Sequence, residues 1–304
     1  MEFFKKKTTI PFMSQRKGAA IFSALMFIAS LWVLATHGLN LGLDFTGGTQ
    51  ISVNFQEPVD VNEIREDLQA AGFEQLVVQA YTPRELSIRL SPLKGMTQEV
   101  LKGKILLVMP GASISEINYI GPEVGKSLMT NGILAIVVSL IAIMIYIALR
   151  FDYRFAISAA VALIHDPILI LGIFSYFHLE FNLIVLAAVL TVIGYSLNDT
   201  IVVYDRVREN FRKIRKGTPT EIMDLSINET LSRTIMTSSL TLLVVLALFL
   251  FGGQMIHNFA LALIIGIVVG TYSSIYIAGS LAVALGLNRA SLVPVAKKLE
   301  DQTP

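Results

Sequence analysis

The chain has 304 residues, of which 54% are hydrophobic and 15% are charged, with a formal net charge of +1 and no cysteine. In soluble domains about a quarter of the residues are charged. The low charged fraction and the mean hydropathy of +0.65 together exclude a water-soluble enzyme and a disordered chain. The small net charge gives no basic excess for binding nucleic acid, and the lack of cysteine excludes disulfides, thiolate metal sites and thiol nucleophiles.

Six apolar segments are each long enough to cross the hydrocarbon core of a membrane, which takes about 20 residues. A long polar insert over 37–128 follows the first segment, and a charged loop over 205–233 follows the fourth. A cleaved signal peptide over 1–37 is the alternative for the first segment, but the chain lacks an A-x-A site there. We predict a transmembrane helix over 18–36 and five more within 129–285, over 129–149, 155–177, 183–204, 234–251 and 259–285. We also predict terminal tails over 1–17 and 286–304.

In the terminal tails and in the connections other than the long insert, Lys and Arg residues lie on one side of these predicted helices. They occupy the N-terminal tail, the turn after the second helix, the loop over 205–233 and the C-terminal tail, whereas the short loops over 178–182 and 252–258 contain none. Because positive charges stay on the cytoplasmic side, both termini are predicted to be cytoplasmic and the insert to lie outside.

The insert reads as a small folded domain over residues 49–121. Alternating apolar residues predict strands and helical spacing predicts helices, in the order βαββαβ that ferredoxin-like domains share. The predicted elements are strands over 49–55, 76–81, 85–90 and 114–120 and helices over 61–71 and 97–108. We therefore predict an α-helical polytopic membrane protein with six transmembrane helices and a small α+β ferredoxin-like domain between helices 1 and 2. This outside domain is either a spacer or a surface that touches a translocating molecule.

One acidic residue, Asp199, lies inside the fourth predicted helix. Charged side chains that face lipid cost several kcal/mol, so those found within spans generally face the bundle interior and carry function. Tyr195 precedes Asp199 by one turn, Asn198 is adjacent, and Arg233 at the predicted start of the fifth helix is a cation able to tune its protonation. We predict that Asp199 takes up and releases protons, with Tyr195, Asn198 and Arg233 as further members of the relay. The alternative is a hydrogen-bonding clip between helices.

His165 and Asp166 lie midway along the third predicted helix, immediately before Pro167, which frees the carbonyl of Leu163 from its helical partner. They belong either to a proton relay or to a local polar patch at a kink. At 1.5 Å per residue, Asp166 lies roughly 16 Å and Asp199 roughly 8 Å from the cytoplasmic end, which favours a stepwise relay over a shared proton. No second ligand follows His165 at i+4, so we predict no metal site.

Two further motifs concern packing and an enzyme class. Gly266-x-x-x-Gly270 in the sixth predicted helix favours close approach of another helix. Tyr204-Asp205 matches half of an intramembrane aspartyl protease signature, but the partner Gly-x-Gly-Asp is absent. The sequence therefore gives little support to a protease, and it contains no catalytic residues that we can assign.

Several long strings resemble the signatures of the SecF subunits in the SecD/SecF family of bacterial protein-export membrane proteins, within the resistance-nodulation-division superfamily. The likeness extends from about residue 38 to residue 287. The strings are GLDFTGGT over 42–49, IGYSLNDTIVV over 193–203, DRVRENFR over 205–212, TLSRT over 230–234 and FGG over 251–253.

This resemblance implies a protein-transport component, not an enzyme, in the bacterial inner membrane. It implies pairing with SecD as an accessory complex of the Sec translocon channel SecYEG, together with YajC and near YidC. The complex would use the proton gradient, with no cofactor, to assist preprotein translocation. Membrane lipids and an unfolded preprotein at the periplasmic domain would be further partners, and nucleic acid would not.

The resemblance also implies roles for particular residues. The family's proton-moving aspartate and arginine fall on Asp199 and Arg233, and Asp44, Gly47 and Gly48 would mark a hinge between the first helix and the outside domain. Two other functions remain open on the same type of fold. One is an exporter of lipids or small solutes, although such exporters usually have 12 spans in one chain, and the other is a structural subunit that only scaffolds SecD.

Overall fold

The computed structural model describes residues 8–73, 76–91, 98–214 and 216–288. The basic residues of the extreme N-terminal tail, over 5–7, and those of the C-terminal tail beyond residue 288 lie outside the described residues. In chain order the helices are α1 (Arg16–His37), α2 (Leu43–Thr46), α3 (Val61–Ala70), α4 (Gln98–Val108), α5 (Pro122–Arg150), α6 (Tyr153–Tyr176), α7 (Leu183–Lys213), α8 (Pro219–Phe251), α9 (Gln254–Ser273) and α10 (Gly279–Ala284). The strands are β1 (Asn40–Leu41), β2 (Gly48–Asn54), β3 (Leu76–Thr82), β4 (Glu85–Leu90), β5 (Ser113–Ile120) and β6 (Glu180–Phe181).

Six helical stretches are long and apolar enough to cross a membrane, which confirms the predicted number of spans. They are α1, α5, α6, α7, α8 and the run Met255–Ala284, in which a π-helical turn over Ser274–Ala278 joins α9 to α10. The helices α5, α7 and α8 contain 29, 31 and 33 residues. At 1.5 Å per residue they are about 43–50 Å long, which exceeds the roughly 30 Å of the hydrocarbon core.

The segment predicted as a charged loop over 205–233 is mostly helical. The helix α7 continues to Lys213, and α8 begins at Pro219 after a capping box, in which Thr218 Oγ1 accepts from Glu221 N and the Glu221 side chain accepts from Thr218 N. Polar residues do not end a helix that leaves the membrane, because water solvates their side chains and the cap satisfies the first backbone donors. Consequently Arg233 lies inside α8 and not at its start.

The chain divides into two compact units. The helical unit comprises the described residues of Met1–Leu39, Ile136–Leu179 and Ile184–Pro304, and the α+β unit comprises those of Asn40–Ala135 and Glu180–Leu183.

The α+β unit contains a four-stranded antiparallel sheet in the order β3-β4-β2-β5. Together with α3 and α4 this confirms the predicted βαββαβ domain, and the order is the one that the split βαβ arrangement gives. Asp60 caps α3 by accepting from Asn62 N at 2.8 Å. Side chains of the sheet and both helices share one apolar core, which includes Ile51, Val53, Leu68, Leu86, Ile88 and Ile105.

A second, two-stranded sheet belongs to the same unit. Strand β1 pairs in parallel with β6, so that Asn40 lies opposite Glu180 and Leu41 opposite Phe181. The part of the short connection between α6 and α7 that begins at Glu180, predicted only as a loop, therefore belongs to the α+β unit.

Within the helical unit, α6, α7 and the run Met255–Ala284 are the most buried spans, whereas α1, α5 and α8 are mostly exposed. Glycines allow the buried helices to approach closely. A Cβ added at Gly266 would lie 2.1 Å from Val192 Cγ2, and one added at Gly270 would lie 3.0 Å from Ser196 Cβ. This geometry confirms the close packing predicted for the Gly266-x-x-x-Gly270 motif.

Candidate functional site

A cluster of buried and half-buried polar side chains lies within the helical unit where α6, α7, α8 and α9 meet. Its members, which we call the polar cluster, are the two predicted carboxylates and the hydroxyl and imidazole groups around them. The polar cluster consists of His165 and Asp166 on α6, Tyr195, Ser196, Asp199 and Thr200 on α7, Ser238 on α8, Thr271 and Ser273 on α9, and Ser274 at the start of the π-helical turn.

Asp166 is fully buried and well supplied with hydrogen-bond donors. Its Oδ2 accepts from Ser196 Oγ at 2.6 Å and from Ser273 Oγ at 2.8 Å, and its Oδ1 lies 3.0 Å from His165 Nδ1. This carboxyl group therefore joins three helices, which is what a structural hydrogen-bonding group would do.

Asp199 is also buried, with 4% of its surface exposed, but its hydrogen bonding is incomplete. Its Oδ2 has no hydrogen-bond partner among the described residues. The hydroxyl group of Ser238 is a neighbour of the carboxyl group, and Arg233 is the cation that acts on it electrostatically. Arg233 does not form a direct ion pair with Asp199 in the described ranges; it acts on the carboxyl from a longer distance. A buried carboxyl with an unused acceptor and a nearby cation is chemically suited to gaining and losing a proton.

The hydroxyl neighbours of the two carboxyl groups lie on two different faces of α7. Ser196 and Thr200 face α6 and the π-helical turn, where Thr200 Oγ1 donates to Ser274 Oγ at 2.9 Å. Tyr195 and Asp199 face α8, where Tyr195 Oη lies 3.4 Å from Ser238 Oγ. Ser238 in turn lies 3.0 Å from Thr271 Oγ1, which extends the hydrogen-bonded path to α9.

The structure gathers most of the predicted relay residues in the polar cluster but leaves Asn198 and Arg233 outside it. Asn198 is exposed and makes no hydrogen bond with any residue in the described part of the chain. Arg233 is exposed too, and it lines a cavity of about 360 Å³ together with acidic residues at the ends of α7 and α8 that include Asp205, Glu209 and Glu229. Sequence reasoning missed the hydroxyl groups of α8, α9 and the π-helical turn, whose only signal was small polar residues inside apolar helices.

Asp44 of the predicted hinge motif contacts the first residue of α7, within the α+β unit. Its Oδ2 accepts from Leu183 N at 2.8 Å, which satisfies one of the backbone donors that a helix start leaves unpaired. The glycines that follow permit close backbone contacts. Gly47 and Gly48 have φ angles of +66° and +120°, and a Cβ at Gly125 would lie 2.9 Å from Gly47 N.

Two buried charged residues near this motif, Arg89 and Glu180, were not predicted. The Arg89 guanidinium donates to Leu41 O at 2.6 Å and to Asn40 Oδ1 at 2.8 Å, and Glu180 on β6 lies within its electrostatic reach. Burial raises the pKa of Glu180, an effect that Arg89 opposes and Asp44 increases. These hydrogen bonds attach strand β1, which pairs with β6, to strand β4.

The raised pKa of Glu180 gives a pH dependence of stability. The folded protein binds this proton more tightly than the unfolded chain, so stability is lost as pH rises from the unfolded value of about 4.5 through the raised one. Glu180→Gln cannot lose a proton, so we expect its thermal unfolding midpoint to exceed that of the parent at pH 7 and to approach it at pH 4. Glu116→Gln, at an exposed strand position, is the control. A gap that widened toward acid pH would contradict the prediction.

No group of three or more His, Cys, Asp or Glu side chains with metal-binding geometry occurs among the residues that the structure describes. The polar cluster contains ionisable and hydroxyl side chains, which hydrogen bonds link between the membrane helices.

Comparisons with known proteins match almost the whole chain. A family model described as "Protein export membrane protein SecD/SecF, C-terminal" matches residues 103–288, and one described as "SecD/SecF GG Motif" matches residues 32–59. The "Protein translocase subunit SecF" of Vibrio alginolyticus is 50% identical over 96% of this chain and 95% of its own length. The subunit of the same name from Escherichia coli O157:H7 is 43% identical over 92% of this chain and 90% of its own length.

A solved structure also resembles the fold. The crystal structure of SecDF, a translocon-associated membrane protein from Thermus thermophilus, superposes with a TM-score of 0.86 at 36% identity. The match covers 94% of this chain but only 39% of the SecDF chain, so the present chain corresponds to one part of that larger protein.

Proposed function

The chain belongs to the SecD/SecF family of protein-export membrane proteins, among the SecF translocase subunits, and from that premise we propose that it couples proton movement to preprotein export. In this proposal it is the SecF-like half of an accessory to the Sec translocon. The proton-motive force across the bacterial inner membrane drives it, and it assists preproteins that are crossing that membrane.

The observation that carries this proposal is the state of Asp199. Its carboxyl group is buried in a helix long enough to cross the membrane, and one of its oxygens has no hydrogen-bond partner among the described residues. A charge in such a place costs several kcal/mol, so a retained carboxylate there indicates function more than stability. Arg233 stabilises the charged form from a distance, and protonation removes that attraction.

The start of the same helix gives proton movement a mechanical consequence. In the proposed cycle, protonation of Asp199 loosens its attraction to Arg233 and lets α7 shift against α8. Asp44 holds Leu183, the first residue of α7, and stands four residues before Gly48, where strand β2 begins. A shift of α7 would therefore pull on the strand that lies in the middle of the periplasmic sheet.

The membrane potential supplies enough energy for such a shift. One elementary charge that crosses 100 mV yields about 2.3 kcal/mol, which changes a two-state equilibrium by roughly 50-fold. In this scheme Asp166 and His165 form a second, inner station of the relay, which the hydroxyl groups of Ser196 and Ser273 connect to α7 and α9.

We further propose SecD as the partner half. The spans α5 and α8 leave most of their apolar surface unburied in this chain, and helices that are apolar all round require lipid or another helix around them. SecYEG, YajC and YidC are the proposed neighbours, and an unfolded preprotein is the proposed contact of the periplasmic domain. Both termini would be cytoplasmic, as the distribution of Lys and Arg predicts.

Reconstitution tests the proposal. The full chain, together with the SecD of the same organism and the translocon, is placed in vesicles that carry a pH gradient, and both preprotein translocation and lumenal pH are recorded. We expect the gradient to stimulate translocation only when both subunits are present. Equal translocation with and without the gradient would favour the alternative of a purely structural subunit.

A further inference from the structure

A cavity of about 620 Å³ opens in the helical unit between α1, α6 and the run of residues 276–284. Its volume is within the range of about 300–1,000 Å³ that small-ligand sites occupy. Small and apolar side chains form its walls, among them Ala20, Ala24, Val161, Ile164 and Ile277. The polar cluster lies beyond its inner end, where His165 is a lining residue.

Two cations stand at one end of this cavity. Arg16 and Lys17 are the first residues of α1, and neither forms an ion pair or a side-chain hydrogen bond with any residue in the ranges that the structure describes. No Asp or Glu is among the residues that line the cavity. The opening therefore carries two positive charges that have no ion-pair partner among the described residues.

The depth of the cavity corresponds to one leaflet of a membrane. Phe27, which stacks on the His165 ring with a centroid distance of 6.1 Å, closes the inner end. Arg16 and Phe27 are eleven positions apart on one helix, which is about 16 Å along its axis. Half of the hydrocarbon core is about 15 Å thick.

An unused hydroxyl group lies between the two ends. Ser280 Oγ is buried, lines the cavity and has no hydrogen-bond partner among the described residues. Ser280 stands four residues before the end of α10, so it lies about 6 Å in from that end. A buried donor at this depth would meet the ester oxygens of a lipid whose phosphate lies at the opening.

We propose that the cavity binds one anionic phospholipid of the leaflet that the Lys and Arg distribution assigns to the cytoplasmic side. Its phosphate contacts Arg16 and Lys17, the hydroxyl of Ser280 donates to an ester oxygen, and one acyl chain runs along the apolar walls to Phe27. A water-filled route to His165 fits less well, because apolar walls stay dry and two cations at the opening repel protons. The acyl chain would instead keep cytoplasmic water away from His165 Nε2, which is buried without a partner among the described residues.

Lipid retention on the full chain tests this site. The chain is purified in a neutral detergent and titrated with phosphatidylglycerol or with phosphatidylcholine, and bound lipid is counted by native mass spectrometry. We expect one phosphatidylglycerol to bind at least tenfold more tightly than phosphatidylcholine. The double substitution Arg16→Gln and Lys17→Gln should remove this preference, because interfacial cations attract anionic headgroups. Ala24→Trp should abolish binding of both lipids by filling the cavity.

The matched control is the double substitution Arg212→Gln and Lys216→Gln, which removes two exposed cations outside the cavity. It should leave the bound phosphatidylglycerol in place. Thermal unfolding of every variant is measured to establish that the fold is retained. If Ala24→Trp unfolds, Ala24→Ser serves as the second variant, and we expect it to preserve lipid binding. An equal loss in the control and the Arg16/Lys17 variant would overturn the proposal. Equal affinity for the two lipids, or no retained lipid in the parent chain, would overturn it as well.

Discussion

Asp199→Asn is expected to reduce gradient-stimulated preprotein translocation at least tenfold and to bring proton flux down to the level of vesicles without the protein. The substitution keeps the size of the side chain and its ability to hydrogen-bond Ser238, but it removes the group that takes up the proton. The attraction to Arg233 disappears at the same time, because asparagine has no charged form. The residue at this position can then no longer alternate between a charged and a neutral state between α7 and α8. Proton flux and translocation are measured on the same reconstituted vesicles.

The control for this prediction stands next to it in the sequence. Asn198 is exposed and has no hydrogen-bond partner among the described residues, so Asn198→Ala should leave both activities near those of the parent. Asp199→Glu keeps the carboxyl on a longer side chain and should retain part of the flux. If Asp199→Asn assembled with SecD and retained full flux, the proton mechanism would be wrong and the scaffold alternative would stand.

The two buried carboxyl groups differ in how completely the protein satisfies them. Asp166 accepts from two serine hydroxyl groups and contacts His165, which leaves little reason for it to change its partners. Asp199 has an unused oxygen and a cation at longer range, so its surroundings do not hold it in one state. This contrast favours Asp199 over Asp166 as the first site of the proposed proton exchange.

Periodic patterns in the sequence were sufficient for the spans and for the βαββαβ order, because each element buries its apolar face in a regular repeat. They were not sufficient for the ends of α7 and α8. Hydropathy falls where a helix leaves the membrane, although the helix continues into water. The capping box of Thr218 and Glu221 was a local signal of the true start of α8, and it is visible in the sequence.

Other features depend on contacts between distant parts of the chain. Arg89 and Glu180 lie near each other only because β6 belongs to the α+β unit. No local sequence pattern predicts a two-residue strand such as β6. The serines around Asp166 likewise gave no sequence signal of their contacts, since each is a small residue in an apolar helix. The choice of Asp199 and Arg233, made from the residues and matched by the family resemblance, remains a prediction. The structure adds the hydroxyl groups that surround Asp199.

Gly48→Ala is expected to destabilise the α+β unit by about 3 kcal/mol or more, through left-handed backbone strain and overpacking. Gly48 has a φ of +120°, which side chains rarely adopt, and the new Cβ would lie 2.4 Å from Leu90 O. That carbonyl belongs to β4, which pairs with β2 at Thr49 and Leu90, so neither backbone can yield without breaking the pairing. A sheet in a unit of this size has little stability to spare.

Hydrogen exchange on the full chain measures this effect where it should occur. Amides of β2 and β4 should lose protection in Gly48→Ala, and gradient-stimulated translocation should fall with them, because the strand that follows Asp44 is no longer held. Gly121→Ala is the matched control: no atom lies within 4 Å of its added Cβ, so exchange should stay near that of the parent. If Gly48→Ala kept both the protection and the activity, close packing against Leu90 could not be the reason for this glycine. A loss of translocation with full protection would instead assign Gly48 to the motion of the proposed hinge, since glycine alone moves freely through that part of backbone space.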